Sequence, residues 1–178
     1  MSFDVAPVAA SFLERLLFDT EALEAISTLS NIWQVRAMPD LPQFGLSKPE
    51  YQVQLCLVYT GEVGNGGHEQ FFLNRGGRYL GDTVHALLAT GLVELAATLR
   101  SAIATFPDGH VTQDLREIER AFDLLPSRDI EKLADLDKQA FKLLPLVYSQ
   151  LLSYIRENRS QVLLPETPQA VRIGRSVT

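Results

Sequence analysis

The stretch Glu62-Val63-Gly64-Asn65-Gly66-Gly67-His68-Glu69-Gln70-Phe71-Phe72-Leu73-Asn74-Arg75-Gly76-Gly77 sets five glycines and three carboxamides around an apolar centre. Asn65 suits a helix N-cap, because its side chain can accept from the amides two or three residues on, and Gly66 and Gly67 leave those amides uncovered. On the helix this predicts, Gln70 and Asn74 are four residues apart and share a face, where they can bond each other or a neighbouring backbone. Gly76 or Gly77 then supplies the left-handed residue that ends it. The most unusual part of the chain is therefore read as a short helix capped at both ends.

Working outward, the flanks are also helical. Ser47-Lys48-Pro49-Glu50 has the form of a capping box with proline in the first turn, so a helix should start there even though Tyr51 to Leu55 alternates like a strand. Upstream, Leu23, Ile26, Leu29 and Trp33 recur at helical spacing, with Asp19 or Thr20 as the expected cap and an end near Ala37. A shorter helix is expected around Val8 to Phe18, and Pro39, Pro42 and Gly45 force a loop. Downstream, Asp82 is the expected cap of a helix running to Gly91. The next helix carries Leu95, Leu99 and Ile103 and stops before Pro107-Asp108-Gly109. Thr112 and Ser127 are expected to cap two more, the second being the longest and broken or kinked at Pro145. The expectation is an all-α, single compact domain of about seven or eight helices over residues 1–164. Residues 165–178 should form an extended or mobile tail.

At 178 residues and 46% apolar content the chain can bury one core, and its net charge is −6. Residues 1–70 hold nine acidic and three basic side chains, whereas 71–178 hold thirteen of each. With only Arg15, Arg36 and Lys48 in that front part, direct binding to nucleic acid is not expected, and a basic partner is favoured. Glu14, Asp19, Glu21 and Glu24 gather on or near one amphipathic helix and could present a row of carboxylates to such a partner. The lone Cys56 excludes an intrachain disulfide and reads as a small core residue. No signal peptide and no membrane span is read, which leaves the cytoplasm as the expected compartment.

The glycine segment lacks the Lys-Ser/Thr of a P-loop and the spacing of a dinucleotide fingerprint. His68-Glu69 is half of a zinc-protease motif, but position 72 is Phe72, and His85 and His110 have no ligand spacing. Glu62 and Glu69 could converge as an acid/base pair. No catalytic, cofactor-binding or metal-ligating residue is assigned, and no cofactor is expected.

The order Asn65-Gly66-Gly67-x-x-Gln70-Phe71-x-x-Asn74, preceded by Glu62 and followed by Gly77 and a helix rising to Thr90-Gly91, resembles a bacterial family that includes a DNA-mimic protein. The resemblance covers Glu62 to Pro107 and implies an all-α, single-domain protein. For the mimic branch it implies an acidic homodimer that occupies the DNA-binding surface of a transcription regulator. The chain departs from the pattern at His68, where an apolar or aromatic residue is expected, and in its modest charge.

The leading expectation is thus a non-enzymatic acidic binding protein, a DNA mimic directed at a DNA-binding regulator. One alternative is a hydrolase or small-molecule binding domain using the Glu62 to Asn74 segment. The other is an immunity or inhibitor protein of a bacterial toxin.

Overall fold

The computed structural model describes residues 6–37 and 45–164, and every regular element among them is helical. The chain forms two compact units, one of residues 1–51 with 148–178 and one of residues 52–147. The expected tail at 165–178 and the loop at Pro39 and Pro42 lie outside the described residues.

The first unit contains α1 (Ala6–Phe18), α2 (Ala22–Arg36), the first turn of α3 (Lys48–Arg75) and nearly all of α8 (Val147–Glu157). Its buried side chains include Leu17, Ile26, Leu29, Trp33, Leu151 and Ile155, the apolar positions of three amphipathic helices. The cap of α2 is Glu21, which makes no side-chain hydrogen bond, rather than Asp19 or Thr20. Those two residues finish α1 instead: the Asp19 amide donates to the Arg15 carbonyl at 2.9 Å and the Thr20 hydroxyl to the same oxygen at 3.3 Å. Helix α3 begins where the Ser47 box predicts, and half of the box is made, with the Ser47 amide donating to Glu50 Oε2 at 2.8 Å. Helix prevails over the strand-like alternation of Tyr51 to Leu55.

The second unit contains the rest of α3, then α4 (Leu80–Ala89), α5 (Val93–Ile103), α6 (Leu115–Asp123) and α7 (Ser127–Leu143). Helix α5 packs against both α4 and α7. An aromatic series runs through the core: Tyr59 meets Phe71 edge-on at 5.1 Å, Phe72 meets Phe106 at 4.9 Å, and Phe106 meets Phe122 at 5.3 Å. Phe71 and Phe72 are buried, and burial of each contributes about 1.5–3 kcal/mol. Cys56 is also buried, its sulfur 3.5 Å from the Thr90 hydroxyl, so the reading as a core thiol holds.

Three caps fall elsewhere than expected. Tyr79, in left-handed conformation, precedes α4, so Asp82 lies in the first turn and acts on the dipole rather than as the cap. Asp114 caps α6 through Arg116 N at 2.9 Å, while the Thr112 hydroxyl accepts from the Asp114 amide one step earlier. Pro126 is the cap residue of α7, and Ser127 is its first helical residue. A 3-10 turn at Leu144–Leu146 separates α7 from α8, as Pro145 requires.

Candidate functional site

The motif segment holds the end of one helix and, as expected, the start of another, although Asn65 is not its cap. Within the span named α3, Gly66 (φ −159, ψ 25) and Gly67 (φ 74, ψ −170) leave helical geometry and divide it in two. Asn65 is exposed and caps nothing. The cap comes from α7: Asp137 Oδ1 accepts from the His68 amide at 2.8 Å and from His68 Nδ1 at 2.5 Å. This geometry explains Gly67 twice over. Its backbone lies in a region open essentially only to glycine, and a Cβ there would overlap the Asp137 carboxylate, 2.7 Å from Cγ.

His68 is fully buried, and its other nitrogen, Nε2, is 2.9 Å from the Tyr59 hydroxyl, which in turn lies 3.3 Å from the Thr98 hydroxyl. The series Asp137, His68, Tyr59, Thr98 thus links α7, both halves of α3 and α5. Burial pushes the Tyr59 phenol well above its ordinary range, against the Thr98 hydrogen bond and with help from the Asp137 charge. A phenol so held is a poor proton donor or nucleophile near neutral pH, and the arrangement orders the core. Sequence reasoning missed Asp137 altogether, because 69 residues separate it from His68 and nothing local marks it.

Gln70 and Asn74 share a face, as expected, but among the described residues they bond neither each other nor backbone. Both donate to Glu62 Oε2, at 3.0 and 2.7 Å, and Arg75 donates to Oε1 at 2.9 Å. The carboxylate therefore ties the helix before the break to the helix after it. Burial raises the Glu62 carboxyl, but the hydrogen bonds from Gln70, Asn74 and Arg75 and the Arg75 charge outweigh it and hold the group below the ordinary carboxylate range. Glu69 is exposed and takes no part, so the two carboxylates do not converge as an acid/base pair. Among the described residues no group of His, Cys, Asp and Glu could hold a metal ion. Gly76 (φ 61) ends the helix, and the Gly77 amide donates to the Thr112 carbonyl at 2.6 Å.

A groove of about 420 Å³ runs between α5 and α7, lined by Ala97, Thr98, Leu136 and Leu143 with Glu94 and Lys142 at its charged margin. None of its lining residues comes from the Glu62 to Asn74 segment. In the other unit Glu14, Asp19, Glu21 and Glu24 are all exposed. Glu14 lies 3.7 Å from Arg159, and among the described residues Asp19, Glu21 and Glu24 enter no ion pair. Among the described residues no helix is long and apolar enough to cross a membrane.

No curated protein and no solved structure matches the chain. The family model described as DMP19-like protein matches residues 45–158, from just before α3 through the end of α8. That span is well over half of the sequence and takes in the whole glycine break with its Glu62 and Asp137 partners, so the chain belongs to the DMP19-like family.

Proposed function

We propose that this protein is a non-enzymatic acidic binding protein that occupies the DNA-binding surface of a basic regulator, as a DNA mimic does. The observation that carries the reading is the set of exposed carboxylates on α1, on α2 and in the turn between them. Glu14, Asp19, Glu21 and Glu24 project from a front segment poor in Lys and Arg, and three of the four have no ion partner among the described residues. Exposed carboxylates are available to neutralise the cations that a regulator uses against phosphates. Membership of the DMP19-like family supports the same reading. So does the motif segment, in which Glu62, Gln70, Asn74 and His68 are engaged in hydrogen bonds within the protein.

The test is competition. A labelled DNA duplex bound to each DNA-binding regulator of the host is titrated with the protein at 50 and 300 mM salt. Displacement of DNA from one regulator is expected, with the apparent affinity falling about tenfold or more at the higher salt, because exposed charges are screened over about 10 Å at 0.1 M. The variant Glu14→Lys/Asp19→Lys/Glu21→Lys/Glu24→Lys should lose displacement while keeping its far-UV circular dichroism. Displacement that is indifferent to salt and to the charge reversal, or absent from every regulator, would sink the reading.

A further inference from the structure

Two exposed large apolar side chains of the first unit stand on either side of the turn between α1 and α2: Phe18 is 51% exposed and Leu23 is 57% exposed. Single exposed apolar residues are ordinary, whereas a pair bracketed by charge of one sign points to a contact surface. Glu14 stands one helical turn before Phe18 on the same face of α1, Asp19 and Glu21 fall between the two apolar residues, and Glu24 follows Leu23. All four carboxylates are exposed. Against them the first 35 residues carry a single cation, Arg15. The pair that Glu14 makes with Arg159, at 3.7 Å, is a weak one, because both side chains are more than half exposed. Phe18 is also held in place. The Arg156 guanidinium lies 5.3 Å from the centre of its ring, and Arg156 Nε donates to the Leu17 carbonyl at 2.6 Å. The aromatic group is thus presented already oriented, and it loses little freedom when a partner covers it.

We propose that Phe18 and Leu23 are the apolar anchor of this acidic surface and that their occupant is a basic amphipathic helix of another protein. Its apolar stripe covers the two side chains, and the Lys and Arg on its flanks meet Glu14, Asp19, Glu21 and Glu24. The anchor rests on the reading above in one respect, that the carboxylates of the front part are what a partner meets. Charge complementarity selects the occupant: carboxylates on both sides of an apolar centre call for cations on both sides of an apolar stripe, which is the make-up of a basic amphipathic helix. A helix that reads DNA is built in this way, with cations for phosphates and apolar groups for thymine methyls. Imitation of phosphates alone needs only the carboxylates. An oriented aromatic group at their centre adds an attraction that salt does not screen.

The experiment uses the full-length chain and two labelled, end-blocked helical peptides of about 18 residues, or five turns. One carries leucine along one face and lysine on both flanks, and in the other alanine replaces every leucine. By fluorescence anisotropy at low salt, the chain should bind the leucine peptide about tenfold or more tightly than the alanine peptide. Phe18→Ser/Leu23→Ser should bring the leucine peptide to within about twofold of the alanine one, and leave the fall of affinity between about 50 and 300 mM salt unchanged. The reversal Glu14→Lys/Asp19→Lys/Glu21→Lys/Glu24→Lys should instead weaken both peptides and flatten that fall. Because Phe18 and Leu23 are exposed, the double variant should fold, and its far-UV circular dichroism checks this. Equal binding of the two peptides, or a leucine preference that Phe18→Ser/Leu23→Ser leaves intact, overturns the anchor while the carboxylate surface stands. Binding of neither peptide also overturns it. A leucine preference lost in the double variant, with no regulator displaced from DNA, supports the anchor and removes the DNA-mimic reading. Self-association of the chain in sedimentation, abolished by Phe18→Ser/Leu23→Ser, makes a second copy the occupant and overturns the basic helix.

Discussion

Gly67→Ala and Asp137→Ala are expected to be strongly non-additive, because the glycine exists to let the carboxylate in. Removing Asp137 deprives the His68 amide of its cap, about 1 kcal/mol, and leaves a buried ring nitrogen without its partner, about 1–3 kcal/mol. The single change should cost about 2–4 kcal/mol. Adding a Cβ at Gly67 incurs backbone strain of about 1–3 kcal/mol at φ 74, ψ −170, and also drives the Asp137 carboxylate out of its place. That second loss is the one Asp137→Ala already incurs. The double variant should therefore be little worse than Gly67→Ala alone, with a coupling energy of about 2 kcal/mol or more. Urea unfolding followed by far-UV circular dichroism measures all four corners, with the m-value constant across them. Against a total stability of about 5–15 kcal/mol the worst variants remain measurable, and an osmolyte such as trimethylamine N-oxide extends the range if needed. Costs that add to within about 0.5 kcal/mol would refute the steric link between the two residues.

Glu62→Gln should cost about 1–3 kcal/mol at neutral pH through weakened hydrogen bonds from Gln70, Asn74 and Arg75. Because the folded state lowers the Glu62 carboxyl, its contribution is present above the ordinary value of about 4.3 and is lost as pH falls through the lower folded value. Melting temperatures from pH 6 to 2.5 should thus show the gap between wild type and variant closing in acid, and a constant gap would contradict the assignment. Burial pushes the Cys56 thiol up to about 12, opposed only in part by the Thr90 hydroxyl, so a disulfide reagent at pH 8 should leave it untouched in the folded protein and titrate one thiol in urea. Rapid reaction of the folded protein would show the site to be open. Asp114→Ala should lower stability by about 1 kcal/mol, by chemical denaturation, through loss of the α6 cap, with Thr112→Ala costing less. The opposite order would restore Thr112 as the cap.

The helices were legible because their signals are local. Apolar spacing placed α2 and α5, proline placed the interruption at Leu144–Leu146, and the serine box placed the start of α3. Caps were less legible, since a Ser, Thr or Asp near a helix start marks a neighbourhood and backbone closure decides among the candidates: Thr20 finishes α1, and Thr112 supports Asp114 rather than capping α6 itself. The glycine break illustrates a sharper limit. Asn65-Gly66-Gly67 has the composition of a helix start, and a start is what forms after it, but the capping oxygen belongs to Asp137, far along the chain. The cap and its glycine are a tertiary pair, and no window around Asn65 contains both.

That pairing bears on where function can reside. Along the motif, the polar groups best placed to react already have partners: Glu62 receives Gln70, Asn74 and Arg75, and His68 is held between Asp137 and Tyr59. A group recruited to bind or transform a ligand must first give up such bonds, at about 1–3 kcal/mol for each buried one left unmade. The exposed carboxylates Asp19, Glu21 and Glu24 have no such ion pairs to break among the described residues, so a cationic partner displaces only water from them. The buried Arg36–Glu50 pair, like the motif groups, is engaged, with the Ser47 amide and with the amide and carbonyl of Leu163. The motif thus accounts for how α3 turns and closes on α7. The exposed carboxylates of α1, α2 and the turn between them are where the energetics leave room for a partner.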